Sequence, residues 1–228
     1  MRKDDFLNFP IDDYCSTILS LGQPRSGKTF VMLKCVEQWL KMGMFDEYHM
    51  VLPAFKNEAD GSYDWLLNYD NVYVYEKYYD RIGNTLIKTA MENDEKWKKK
   101  KIPKKPRIFF CVDDATSEGK MFQSESLRAL ATKNRHLNIT SWFLSHYCKG
   151  VLDPKVRMNI KYIFLYPVKS KLLKMVWEDF IDFQEFDDFK KEFMPFWREY
   201  ITPKKYGVLL VNGRESYNPM VDSWFSEK

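Results

Sequence analysis

The chain has 228 residues, 45% of them hydrophobic and 17% aromatic, enough to build a sizeable core, so wholesale disorder is excluded. With 36 basic and 32 acidic residues the formal net charge is only +4, which does not by itself establish a nucleic-acid partner. No apolar run approaches the ~18 residues of a membrane helix, and Met1-Arg2-Lys3-Asp4-Asp5 turns acidic where a secretory leader needs an apolar stretch. A soluble, unsecreted protein is expected. Cys15, Cys35, Cys111 and Cys148 are widely spaced, with no C-x-x-C pair to hold zinc or run redox chemistry, which points to reduced thiols and an intracellular location.

Apolar runs bounded by turn signals alternate with helical stretches, the pattern of an α/β protein with a largely parallel sheet. The first run, Thr17–Leu21, predicts a strand. It leads into Gly22-Gln23-Pro24-Arg25-Ser26-Gly27-Lys28-Thr29, a complete G-x-x-x-x-G-K-[ST] loop that opens a helix over Lys28–Met42. A chance match in a chain of this length is on the order of one in a hundred from average composition. The glycines let the loop wrap so that backbone N–H groups and the helix N-terminus face phosphates. Lys28 then reaches the β- and γ-phosphates of ATP, Thr29 ligates Mg²⁺, and Gly22 to Phe30 make up the nucleotide-binding stretch.

Strands are predicted next at Tyr48–Leu52 and Val72–Tyr75, and a helix over Asn84–Lys99. From Lys96 to Arg107 eight of twelve positions are basic, with Pro103 and Pro106 as breakers. Such a run is either a solvated loop or a surface that neutralises a nucleic-acid backbone. The apolar run Ile108–Val112 then ends in Asp113-Asp114, 85 residues after Lys28. A buried strand ending in two acids places carboxylates at its carboxyl end, where open α/β sheets bind ligands. Asp113 is assigned to Mg²⁺, and Asp114 to orienting or deprotonating the attacking water.

A helix is predicted over Ser124–Asn134, strands at Ile139–Leu144 and Tyr162–Leu165, and a helix over Lys169–Phe180 with a further segment up to Met194. A final strand at Gly207–Val211 runs into an Asn212-Gly213 turn. Phe180, Phe183, Phe186 and Phe189 recur every three residues, followed by Phe193, Phe196 and Trp197, with acids between. This amphipathic stripe is read as core packing, with a subunit- or capsid-facing surface as the alternative. His49, His136 and His146 are too dispersed for a zinc motif.

Three further segments carry a resemblance. They are Asn134-Arg135-His136-Leu137-Asn138, the strand Ile139–Ser145 with His146 after it, and Asp153-Pro154-Lys155-Val156-Arg157-Met158-Asn159. Together with the phosphate loop and the paired acids they resemble the viral genome-packaging ATPases of the FtsK–HerA superfamily, in the poxvirus-type branch. The resemblance runs from roughly residue 17 to 165 and implies a RecA/FtsK–HerA-like P-loop NTPase, a three-layer sandwich about a largely parallel sheet. In that branch the strand after the Arg-His pair ends in a polar sensor, usually Gln; here the position holds His146, or Ser145 in the neighbouring register. His146 donates a hydrogen bond as Gln does and adds a pH dependence.

The resemblance also implies an arginine from a neighbouring subunit, with Arg135 the first choice and Arg157 and Arg128 after it. It further implies a homo-oligomeric ring (pentamer or hexamer), double-stranded DNA as cargo, a capsid or vertex partner, and a place in the host cytoplasm or virion; Lys96–Arg107 is the candidate contact for that DNA, with a solvated loop as the alternative. One domain is expected over residues 1–228, with a core of about 14–166 and a C-terminal helical segment and strand over 167–228. On that length no nuclease domain is expected beside the core. A small nucleoside or nucleotide kinase, a virion-morphogenesis ATPase acting on protein, and a non-enzymatic capsid component stand as rival readings.

Overall fold

The structure is a computed structural model that describes residues 15–53, 63–114, 124–146, 154–181, 188–203, 207–212 and 217–220. Their elements, in chain order, begin with β1 (Thr17–Leu21), α1 (Lys28–Lys41), β2 (Glu47–Val51), a 3₁₀ turn at Asp64–Asn68, β3 (Val72–Tyr75), α2 (Asp80–Lys98) and β4 (Ile108–Val112). The short helices α3 (Glu125–Thr132) and α4 (Asn134–Leu137) lead to β5 (Ile139–Ser145), α5 (Pro154–Arg157) and β6 (Ile160–Leu165). Then come α6 (Ser170–Val176), π-helical turns at Trp177–Ile181 and Phe189–Phe193, α7 (Met194–Tyr200), β7 (Val208–Asn212) and β8 (Tyr217–Met220).

One eight-stranded sheet takes the order β3-β2-β4-β5-β1-β6-β7-β8. All pairings from β3 to β6 are parallel; β7 and β8 add antiparallel partners at one edge. Every residue of β1, β4 and β5 is buried, as strands covered on both faces require. Alternate side chains feed two cores. Leu19, Leu21, Phe110, Val112 and Phe143 meet Leu86, Leu130, Val176 and Trp197 from the helices of one face. Ile18, Phe109, Cys111, Trp142 and Leu144 meet Val31, Met32, Val36 and Trp39 of α1 on the other. This is the expected three-layer α/β sandwich.

Buried polar groups in the central strands are paired, as their desolvation demands. The Thr17 hydroxyl donates to the Ala131 carbonyl at 2.6 Å, and Trp142 Nε1 donates to Ser20 Oγ at 3.0 Å.

Several boundaries differ from expectation. The helix expected from Asn84 begins one turn earlier, at Asp80, whose carboxylate suits the helix N-terminus. The helix expected over Ser124–Asn134 breaks at Lys133, and Asn134 starts a new turn in which its side-chain amide donates to Thr17 Oγ1 at 3.0 Å. The segment expected to stop at Met194 continues to Tyr200, because Phe193 and Trp197 one turn apart are both buried. Phe180, Phe189 and Phe196 pack against the same core, so the aromatic stripe is core-facing there; Phe183 and Phe186 lie outside the described residues. The strand β8 was not expected: Pro219 masks it, and it sits at the sheet edge, where a missing N–H is tolerated. Among the described residues no helix is long and apolar enough to cross a membrane.

Candidate active site

Three parallel strands end side by side and deliver the site. β1 runs straight into the phosphate loop, and the Gly22 N–H donates to the Ser145 carbonyl at the end of β5 (3.2 Å). β4 ends in Asp113, whose N–H is fixed by the Val51 carbonyl at 2.9 Å. Because β5 lies between β1 and β4, the residue that follows it, His146, stands between the loop and the acids.

The loop closes tightly. A Cβ on Gly22 would lie 2.6 Å from Tyr166 Cβ and 2.7 Å from Ser26 Oγ, so only glycine fits. Gly27, the residue before α1, has φ of 93°, which glycine adopts without cost. Lys28 is buried and folds back to donate to the Gly22 and Gln23 carbonyls at 2.9 and 2.8 Å. Burial lowers its pKa to about 8 against the opposing pull of Asp113 and Asp114. Ser26 Oγ is buried in the loop without a protein partner.

Thr29 Oγ1 donates to Asp113 Oδ2 at 2.7 Å, which joins the helix to the strand end. The other oxygen, Oδ1, accepts the Asp114 N–H at 2.8 Å, and Asp114 takes a left-handed backbone with φ of 48°. That conformation is costly for a non-glycine residue and is commonly stored at functional sites. Burial pushes the Asp113 carboxyl above its usual range, opposed by the Thr29 and Asp114 hydrogen bonds and the Lys28 charge.

His146 links the two halves. Its Nδ1 lies 3.2 Å from Lys28 Nζ and 2.9 Å from the Gly22 carbonyl, and its Nε2 lies 3.5 Å from Asp114 Oδ1. With the ring proton on Nε2, facing Asp114, Nδ1 accepts from Lys28. With the proton on Nδ1 the ring donates to Gly22 instead. The two arrangements exclude each other, so the ring answers to what its neighbours hold.

Among the described residues no cluster of three or more His, Cys, Asp or Glu could form a metal cage. A hydroxyl beside a carboxylate is nonetheless an all-oxygen set of the kind Mg²⁺ takes when substrate phosphates and water complete its octahedron. Thr29 and Asp113 fit that ion, while the orphaned Ser26 hydroxyl and the first-turn N–H groups of α1 fit a phosphate chain.

Gln23, Pro24 and Arg25 form the exposed rim of the loop. Ser145 is fully buried inside β5, so His146 is the residue of that pair that reaches the site. Arg135 is not part of it. It stands in α4 before β5, at the opposite end of the strands, roughly 20 Å away along a seven-residue strand. There it lines a cleft of 460 Å³ with His136, Asn159 and Lys161. Arg157 is held by Asp179 at 3.0 Å, and Arg128 lies half-buried on α3.

The Lys96–Arg107 run borders the same far edge, where Lys105 donates to the His136 carbonyl at 2.5 Å. Much of the run is tied down: Lys98 and Lys105 pair with Asp94 at 2.6 and 2.8 Å, and Lys104 with Asp46 at 2.7 Å. Lys96, Lys100 and Lys101 are exposed. Sequence reasoning missed Tyr166, which walls the loop beside Gly22; an aromatic residue after a strand carries no signal of that role.

No protein-family model matches the chain. Uncharacterized protein 015R of Frog virus 3 (isolate Goorha) is 23% identical over 158 residues, 65% of this chain and 43% of that protein, so the match spans less than half of the relative's length. The fold is similar to the genome packaging NTPase B204 of Sulfolobus turreted icosahedral virus 2, solved with ATP-gammaS. That likeness has a TM-score of 0.59 at 13% identity, over 91% of this chain and 97% of B204. It is also similar to EssC (ATPases 2 and 3) of Geobacillus thermodenitrificans, with a TM-score of 0.61 at 14% identity, over 89% of this chain and 38% of that one. The P-loop ATPase fold expected from the loop, the paired acids and the resemblance is the fold found.

Proposed function

We propose that the protein is an ATP-hydrolysing motor that moves double-stranded viral DNA into a preformed capsid as a homo-oligomeric ring. The observation that carries the hydrolase reading is the convergence of Lys28, Thr29, Asp113, Asp114 and His146 at one end of three adjacent strands. In this reading the Lys28 ammonium leaves the Gly22 and Gln23 carbonyls to bind the β- and γ-phosphates, whose negative charge compensates its burial. Thr29 and Asp113 would hold Mg²⁺, which would neutralise charge on the phosphate oxygens. Asp114 accepts a proton from the attacking water, and His146 senses the change through its contact with Asp114 and passes it to the loop through Gly22. Arg135, too far to act on its own site, serves the site of a neighbouring subunit.

The DNA and capsid parts lean on the likeness to B204, which its description calls a genome packaging NTPase. The exposed lysines of Lys96–Arg107 supply sequence-independent affinity for the duplex backbone. The ring works in the host cytoplasm and meets a capsid or vertex protein there, or travels in the virion.

ATP hydrolysis by the purified protein at low salt, with and without double-stranded DNA, tests this. Stimulation by DNA that fades as salt rises is expected, and Asp114→Asn should bind ATP without turnover. Hydrolysis indifferent to DNA sinks the translocation part and favours a motor acting on protein. Phosphate transfer to an added nucleoside without net hydrolysis sinks the hydrolase part.

A further inference from the structure

Beside the phosphate loop, on the outer face of α1, lies a groove of 690 Å³ lined by Phe30, Lys34, Glu37, Trp65, Asn68 and Tyr69. Nothing in the phosphate chemistry above uses it. We propose that this groove takes the nucleobase and ribose of the nucleoside triphosphate, with the base stacked on Trp65 and Phe30. The inference rests on the nucleotide-binding reading of Lys28 and Thr29.

The direction of the phosphate chain carries the argument. Asp113, Asp114 and His146 all sit on the sheet side of the loop, so the γ-phosphate and the attacking water belong there. The α-phosphate and the nucleoside must then leave across the first turn of α1, away from the sheet. Val31, Met32, Cys35, Val36 and Trp39 face the sheet core, while Phe30, Lys34 and Glu37 share the opposite stripe. That stripe runs down the helix for about 10 Å from the residue next to Thr29.

The lining also suits a base. Phe30 is 45% exposed although it is aromatic and sits in the first helical turn. Trp65 and Tyr69 stand edge to face, 6.3 Å between ring centroids, so the 3₁₀ turn opposite α1 presents flat apolar surface. Such rings stack on any base. Polar groups stand where base edges and ribose hydroxyls need them: the Asn68 side-chain amide both donates and accepts. At the far end the Lys34–Glu37 pair, 2.9 Å apart, adds one charge of each sign.

Calorimetric titration of the whole chain with a non-hydrolysable ATP analogue and, separately, with inorganic tripolyphosphate tests the assignment. Trp65→Ala should weaken the analogue at least about tenfold and leave tripolyphosphate unchanged, since one base stack is worth that much. Trp65→Phe should recover most of the loss. Phe30→Ala, which truncates an exposed ring and cannot empty the core, should repeat the pattern. Lys28→Ala should weaken both ligands.

If Trp65→Ala and Phe30→Ala bind the analogue as the wild type does, the base lies elsewhere and the proposal falls. If they lose analogue and tripolyphosphate alike, the groove is a structural support or subunit contact, and the proposal falls too. If wild-type protein binds neither ligand, the nucleotide reading itself is overturned, and this one with it.

Discussion

Lys28→Met isolates the electrostatic cost of keeping an ammonium in the closed loop. Burial holds the Lys28 pKa at about 8, against the 10.5 of an unperturbed lysine in the unfolded chain. Below pH 8 both states carry the proton. Between pH 8 and 10.5 the unfolded chain keeps it and the folded protein releases it, so folding becomes more favourable as pH rises by about 1.36 kcal/mol per pH unit. Over the window the gain is about 3 kcal/mol, the strain carried at neutral pH. Met matches the length and has no charge to titrate; every other lysine, tyrosine and cysteine titrates alike in both proteins. The difference in unfolding free energy between wild type and Lys28→Met, measured by urea denaturation from pH 7 to 10.5, should therefore climb in favour of wild type above pH 8. A difference that stays flat would show that the ammonium is not strained, and that the loop is not a closed, desolvated cage around it. The same shift requires nucleotide binding above pH 8 to take up a proton, seen as a binding enthalpy that changes with the ionisation heat of the buffer.

Gly22→Ala should lower stability by about 1–3 kcal/mol and abolish ATP binding, because its Cβ would strike Tyr166 Cβ at 2.6 Å and backbone must shift; a urea midpoint equal to wild type counts against that close approach. His146→Ala should cut kcat about 100-fold with ATP binding within threefold, whereas His146→Gln, which keeps a donor and an acceptor at the same place, should recover most of it; equal rates for the two variants would remove the sensor role. Arg135→Ala and Asp114→Asn should each be inactive alone and regain part of the ATPase rate when mixed, since one interface then combines an intact Arg135 with an intact Asp114; no recovery at any ratio counts against a trans arginine.

The phosphate loop and the paired acids were readable because their chemistry fixes residue type and spacing, and because β1 and β4 are buried on both faces and so read as continuous apolar runs. Where helices begin and break was less readable. Asn134 restarts the helix after Lys133 only because its amide reaches Thr17, 117 positions away in sequence, a contact that no local pattern announces. The 3₁₀ turn Asp64–Asn68 and the strand Tyr217–Met220 escaped for a related reason: each is short, the turn being held by the burial of Leu66 and the strand by its pairing with β7. Choosing between Ser145 and His146 needed the register of β5, since a slip of one residue exchanges the buried face for the open end.

The direction of β5 sets Arg135 and Lys105 at one end of the sheet and the cluster of Lys28, Asp113, Asp114 and His146 at the other. β5 begins after Arg135-His136 and ends at Ser145, next to His146, so one buried strand joins the far-edge cleft to the phosphate-loop cluster. Its seven residues are all buried and hydrogen-bonded to β1 and β4, which makes it a stiff connection rather than a flexible one. An arginine at its start is far beyond reach of the loop at its end, and Lys105 is anchored to the same corner through the His136 carbonyl. In the proposed motor, a DNA backbone or the phosphate side of another subunit bound at the far edge would press on the strand that leads to His146. In the same proposal a change at Asp114 would reach the other end of the strand through His146, 3.5 Å away. Under that proposal, coupling between cargo and chemistry needs no hinge between domains: a strand paired this firmly on both sides carries a change at one end to the other, read as a changed His146 contact or a changed position of Arg135.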